Sequence, residues 1–182
     1  MTARAIYLIG FSGTGKSTVA QLVGAQLGWP SYDLDQIIVE HSGMRIPTIF
    51  EREGEAGFRD RESAALCSIA ESGPCVVATG GGLPLREENR QMMQESGWVI
   101  TLEGRPETLS ARLLRQRAQA DPDAIRPLLD MAAPLEQLRA LKQSRQPIYA
   151  LADWTVHTDR LGPQQVAAEI VRAYAILEES VS

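Results

Sequence analysis

The sequence predicts an α/β fold built on a parallel sheet, and three observations carry that expectation. Short apolar runs alternate with helical patterns along the 182 residues, the order that packs helices against parallel strands. The first run, Ala5-Ile6-Tyr7-Leu8-Ile9, leads directly into Gly10-Phe11-Ser12-Gly13-Thr14-Gly15-Lys16-Ser17-Thr18 and then into an amphipathic stretch, Val19 to Leu27. Carboxylates and glycines recur at the ends of later runs, where open parallel sheets hold their ligands.

The elements follow in order. Residues 5–9 form the first strand, and a helix over about 16–27 ends near Gly28 and Pro30. A short strand over 31–34 carries Asp33 and then Asp35, and 36–43 reads as helix stopped by Gly43. Pro47 suits a first helical turn, with 48–53 and 55–71 helical around Gly54. Cys75-Val76-Val77-Ala78 is the third strand and runs into Thr79-Gly80-Gly81-Gly82. A polar helix over 86–96 precedes strand four, 98–102, and a helix over 105–117 follows. Residues 118–131 lose periodicity and read as a loop or lid. A helix over 134–146, strand five over 153–157 and a closing helix over 163–179 complete the chain.

Composition bounds the answer. A hydrophobic fraction of 44 % and a charged fraction of 23 % are those of a soluble globular protein, and 182 residues suit one domain, 1–182. No apolar run reaches membrane-spanning length. Met1-Thr2-Ala3-Arg4 leads straight into the first strand, leaving no room for a signal peptide. Cys67 and Cys75 are too few for a disulfide framework or a zinc site. A cytoplasmic monomer is the expectation. The net charge of −5, with no basic tract, argues against nucleic acid as a partner.

The loop carries the first chemistry. G-x-x-x-x-G-K-S between strand and helix is the Walker A pattern. Gly13, Thr14 and Gly15 let backbone N–H groups curl around phosphates, and the helix adds its positive end. Lys16 reaches the β- and γ-phosphates, Ser17 supplies a hydroxyl for Mg²⁺, and Thr18 continues the turn. Only Lys16 and Lys142 are lysines, against sixteen arginines, so a lysine where the pattern requires one is not background. ATP is the implied ligand.

Other residues give the phosphoryl group a destination. On an extended segment Asp33 and Asp35 face one way. One can serve the metal and the other can orient or deprotonate a hydroxyl; the competing reading is a turn that caps the next helix. Arg59 and Glu62 are i, i+3 neighbours, so Glu62 can hold a guanidinium aimed at a carboxylate, or the two form an ordinary surface pair. The glycines at 80–82 allow close approach of a ligand to the backbone. No aspartate ends the third strand, so Asp33 is the available carboxylate for the metal. Arg126 sits in the expected lid, and Arg145 precedes Gln146-Pro147-Ile148-Tyr149 near a helix end.

With these pieces assembled the chain resembles the shikimate kinase family from end to end. The residues that carry the likeness are Gly10 to Ser17, Asp33-Leu34-Asp35, Glu55-Ala56-Gly57-Phe58-Arg59 with Glu62, Thr79 to Gly82, Arg126-Pro127-Leu128, and Arg145 with Tyr149. The resemblance implies a P-loop NTPase-type three-layer fold with a five-stranded parallel sheet, similar to nucleoside monophosphate kinases. It implies a substrate-binding region over about 34–62 and a lid over about 117–131. Ser17 and Asp33 would serve Mg²⁺. Asp35 would hold shikimate hydroxyls and act as base. Arg59 and Arg145 would clamp the carboxylate, Gly80, Gly81 and Gly82 would meet the substrate through their backbone, and Arg126 would reach ATP. The reaction the resemblance implies would be transfer of the ATP γ-phosphoryl to the 3-hydroxyl of shikimate, in aromatic amino-acid biosynthesis.

The chain departs from the family's pattern at Arg117 to Ile125, which is long, so Arg115 and Arg117 compete for the role of the arginine that stacks on adenine. Arg160 is a candidate on the loop after strand five. The alternatives are a kinase for another hydroxy acid such as gluconate, a non-catalytic regulator that keeps the fold, and an ATPase coupled to nucleic acid or protein.

Overall fold

β1 (Ala5–Ile9) lies at the centre of a five-stranded parallel sheet. The order across the sheet is β2 (Ser31–Asp33), β3 (Val76–Ala78), β1, β4 (Gly97–Glu103) and β5 (Trp154–His157). The structure, a computed structural model, describes residues 4–70, 72–119 and 135–181, the last three of the middle segment by backbone alone. Tyr7 is paired with Val77 on one side and Val99 on the other. All strands run the same way, so the loops that leave their carboxyl ends share one edge. The loop after β1 is flanked there by those after β3 and β4.

Burial on both faces explains why β1 is an unbroken apolar run rather than an alternating one. Ile6 and Leu8 point to one side, against Val19, Val23, Ala167 and Ile170 from α1 (Lys16–Leu27) and α7 (Pro163–Glu179). Tyr7 and Ile9 point to the other side. There they join residues of α3 (Ile46–Ala70), α4 (Glu87–Ser96), α5 (Pro106–Gln119) and α6 (Leu135–Tyr149), among them Leu66, Met93, Leu109 and Leu138. Each such aliphatic side chain contributes about 1.5–3 kcal/mol by leaving water. Helices on both faces of the sheet make the three layers that the sequence predicts.

Three elements differ from expectation. α2 (Leu34–Ser42) begins earlier than predicted, so Asp35 lies in its first turn and not on an extended segment with Asp33. The side-by-side placement expected of that pair is therefore wrong: Asp33 caps the helix, its Oδ1 accepting the Asp35 N–H at 3.0 Å. The glycine segment does not pass straight into α4; a 3-10 turn at Leu83–Leu85 intervenes. α6 continues through Pro147 to Tyr149. Gly54 does separate two helical stretches, with φ 69° and ψ −173° inside α3. The expected lid and Arg126 lie outside the described residues, apart from the backbone of 117–119. Among the described residues no helix is long and apolar enough to cross a membrane.

One buried bond ties the sheet to α6. The Thr101 hydroxyl, on β4, donates to the Tyr149 carbonyl at 2.7 Å. Thr101→Val keeps the shape and leaves that carbonyl only the longer bond from the Ala152 N–H, at 3.4 Å, a loss of about 0.5–1.5 kcal/mol. Urea unfolding should show the loss as a lowered midpoint; a midpoint within experimental error of the wild type would mean that the bond contributes nothing.

Candidate active site

The loop after β1 carries three glycines with positive φ, at Gly10, Gly13 and Gly15. Gly15 is the N-cap of α1, so the helix starts at Lys16 with its amino end facing the loop. Buried Lys16 folds over the loop, and its Nζ donates to the carbonyls of Gly10 at 2.8 Å and Phe11 at 3.0 Å. The Thr14 hydroxyl also donates to Phe11 O, at 2.9 Å. Ser17 is half-buried and Thr18 exposed in the first turn of α1. Backbone donors and a lysine around a helix amino end suit polyphosphate.

A second group lies beside it. Arg59, only 8 % exposed, donates to Glu62 Oε2 at 2.5 Å and to Glu55 Oε1 at 3.0 Å. Its guanidinium lies against Gly82: a Cβ there would stand 2.3 Å from both terminal nitrogens. A Cβ on Gly80 would stand 2.2 Å from Glu62 Oε1 and 3.5 Å from Asp35 Oδ1. The glycines at 80 and 82 thus make room first for this chain's own charged side chains, a use the sequence does not reveal. From the other side Arg145 approaches the Gly81 carbonyl at 3.5 Å, and the Tyr149 hydroxyl donates to the same oxygen at 2.7 Å. Two guanidiniums therefore flank the glycine triplet, with Asp35 near Gly80. A Cβ on Gly81 would be 3.5 Å from Gly10 O, so this group adjoins the phosphate loop.

Burial sets the electrostatics. It pushes the Glu62 carboxyl above its ordinary range, and the nearby Arg59 charge only partly offsets that. Glu62 Oε1 is buried with no hydrogen-bond partner, so it has lost water without replacement. For Arg59 burial works against the charge, but Glu62 and Glu55 outweigh it and the net shift is upward. Burial likewise raises the Tyr149 phenol against the opposing pull of Arg145.

A cleft of about 260 Å³ opens on the far side of the loop, lined by Gly13, Thr14, Thr18, Arg112, Arg115 and Thr158 among others. Arg112 is the residue that the sequence reading missed. Its NH1 donates to Thr158 Oγ1 at 2.9 Å and its NH2 to Thr158 O at 2.6 Å. Leu109, Arg112, Leu113 and Gln116 share one helical face toward the loop; that periodicity was the available signal. Of the residues expected here, Arg115 lines the cleft, exposed Arg160 is not among its lining residues, and the Arg117 side chain and Arg126 fall outside the described residues.

Ser17 and Asp33 carry oxygen donors of the kind a hard divalent cation takes, with Asp33 Oδ1 already accepting the Asp35 N–H. No cluster of three or more acidic, histidine or cysteine side chains suited to a metal occurs among the described residues.

The chain matches the family model described as shikimate kinase over residues 12–175. It is 41 % identical over 171 residues to a shikimate kinase of Marinomonas sp. (strain MWYL1), covering 92 % of this chain and 90 % of that protein. A solved shikimate kinase from Acinetobacter baumannii in complex with shikimate superposes with a TM-score of 0.87 at 34 % identity, covering 100 % of this chain and 97 % of the other. A gluconokinase from Sinorhizobium meliloti 1021 has a TM-score of 0.65 at 17 % identity, covering 99 % and 96 %, a likeness of fold alone.

The raised carboxyl of Glu62 has a sign. The folded state holds that proton to higher pH than the unfolded chain, so its contribution to stability is fully present below the ordinary glutamate range and is lost as pH rises through the folded value. Urea unfolding of wild type and Glu62→Gln across that range should show the wild type losing stability relative to the variant as pH rises. A difference that stays flat or grows would contradict the direction.

Proposed function

The chain belongs to the shikimate kinase family, and from that membership we propose that it transfers the γ-phosphoryl of ATP to the 3-hydroxyl of shikimate, giving shikimate 3-phosphate and ADP. It is an ATP-dependent kinase by family. The observation that carries the acceptor assignment is the pair of guanidiniums, Arg59 and Arg145, on either side of Gly81-Gly82, with Asp35 within reach and the phosphate loop adjoining. Two forks facing one small space suit a carboxylate.

Each side chain then has a task. The loop N–H groups of Gly13, Thr14, Gly15, Lys16, Ser17 and Thr18 cradle the phosphates. Lys16 gives up the Gly10 and Phe11 carbonyls and moves its charge to the β- and γ-oxygens. Ser17 and Asp33 would hold Mg²⁺, which offsets charge on those oxygens when bound. Arg112 and Arg115 border the base, in the cleft beyond the loop. Arg59 and Arg145 fix the acceptor carboxylate, and the 80–82 backbone bounds the ring. Asp35 then accepts the hydroxyl proton as the oxygen attacks phosphorus. Arg126 would reach ATP, as the resemblance implies. We place the acceptor region at about 34–62, within one kinase domain spanning 1–182.

An ADP-release assay over shikimate, gluconate and related hydroxy acids, with and without Mg²⁺, tests the assignment; turnover of gluconate and not shikimate would overturn the acceptor. Arg59→Ala should raise KM for shikimate on the order of 100-fold, because each charge-assisted bond contributes about 1.5–3 kcal/mol. KM for ATP should change by less than about twofold, and an unaltered shikimate KM would remove the clamp. Asp35→Asn should lower kcat by about 10²–10⁴ with ATP affinity kept. A variant that turns over at the wild-type rate would take the proton-accepting role away from Asp35.

A further inference from the structure

Lys142 is one of two lysines in a chain with sixteen arginines, and the reaction as described does not use it. It sits on α6 with a side chain 14 % exposed, in an ion pair with Glu103, whose side chain is 11 % exposed. Lys142 Nζ also donates to Gln146 Oε1 at 3.0 Å, and Gln146 Nε2 donates to Glu103 Oε2 at 3.3 Å. The three side chains close a ring. Glu103 Oε1 additionally accepts the Gly104 N–H at 3.2 Å, which fixes the carboxylate at the end of β4. A compact ammonium with three donors suits that small ring; a longer, planar guanidinium does not.

The ring brackets Arg145. Lys142 and Gln146 lie three residues before it and one after it on the same helix, and Pro147 follows. A proline inside a helix removes one backbone hydrogen bond, here the one that would close on the Gln143 carbonyl. The backbone around Arg145 is therefore less fixed by its own helix than elsewhere, and the side-chain ring supplies the missing anchor. On one side α6 is held to Glu103; on the other Arg145 and Tyr149 meet the Gly81 carbonyl.

We propose that Lys142, Glu103 and Gln146 are positioning residues that hold α6 so that Arg145 presents its guanidinium to the acceptor carboxylate beside Gly81. The proposal rests on the acceptor reading above. The ring touches neither substrate; it acts through Arg145. Loss of the ring lets the guanidinium sample other poses, which weakens acceptor binding and leaves the nucleotide side alone.

The test is a double-mutant cycle on Lys142→Met and Arg145→Ala, with KM for shikimate and for ATP measured separately and urea unfolding run on each variant. Lys142→Met should raise shikimate KM by about 10-fold, a size typical of side chains coupled in one network. ATP KM and kcat at saturating shikimate should stay within about twofold. In the Arg145→Ala background the same change should have no further effect on shikimate KM. An effect that persists undiminished there, an equal rise in both KM values, or no effect in the wild-type background overturns the proposal. If Lys142→Met does not fold, Gln146→Met, which leaves the ion pair in place, carries the same cycle with the same outcomes. Wild-type turnover of a different carboxylic acid would overturn the shikimate assignment only, and the cycle is then read on that acid. A wild type that phosphorylates no carboxylic acid overturns both.

Discussion

Arg59 keeps a full positive charge at a position almost closed to water, and that constraint fixes what can surround it. A buried guanidinium needs an anion and leaves no room for bulk beside it. Glu62 supplies the anion one helical turn away, and Glu55 adds a second carboxylate from the solvent side. The plane of the guanidinium then lies where a Cβ on residue 82 would be, and Glu62 lies where a Cβ on residue 80 would be. Gly80 and Gly82, two of the three glycines after β3, are thus dictated by charges on α3. The order of strands does the rest: β3 is beside β1, so the triplet carries Arg59 and Glu62 to the edge of the phosphate loop.

On the reading proposed above, donor and acceptor halves of the site are built on different principles. The phosphate half is mostly backbone: N–H groups, a helix end and one lysine, at the start of α1. Such an arrangement suits a charge pattern common to nucleotides. The acceptor half would draw on side chains of α2, α3 and α6 around a bare strip of backbone. Its geometry would then depend on how three helices are held, as binding geometry depends on what positions it.

How much of this the sequence discloses follows from how local each feature is. The loop is legible because strand, glycines, lysine and helix are consecutive. Arg59 with Glu62 is legible because i, i+3 spacing is a property of any helix. The side-by-side placement of Asp33 and Asp35 misleads because aspartates two apart fit an extended segment and a helix cap alike, and the hydrogen bond from the Asp35 N–H to Asp33 Oδ1 shows the cap. Arg112 escapes because α5 carries Arg112, Arg115 and Arg117 within two turns; Arg112 and Arg115 both line the cleft, and the bonds that fix Arg112 there go to Thr158, far along the chain. The ring at Lys142 escapes for the same reason: its carboxylate belongs to a different strand.

The charges that matter are already satisfied before any substrate arrives. Lys16 is held by two loop carbonyls, and Arg59 by two carboxylates. Binding is then an exchange of partners rather than the making of new ion pairs, so only the difference between old and new partner contributes to affinity. For Lys16, on the reading proposed above, the Gly10 and Phe11 carbonyls would give way to phosphate oxygens that carry full charge. For Arg59 the old partner does not leave: on the reading proposed above, Glu62 stays in place and an incoming carboxylate shares the guanidinium with it. A guanidinium carries five donors in a fixed fork, so it can serve two anions at once. Glu62, buried and without a donor on its second oxygen, depends on Arg59 the more for that. Affinity for the acceptor at this arginine is then the surplus left after that pair.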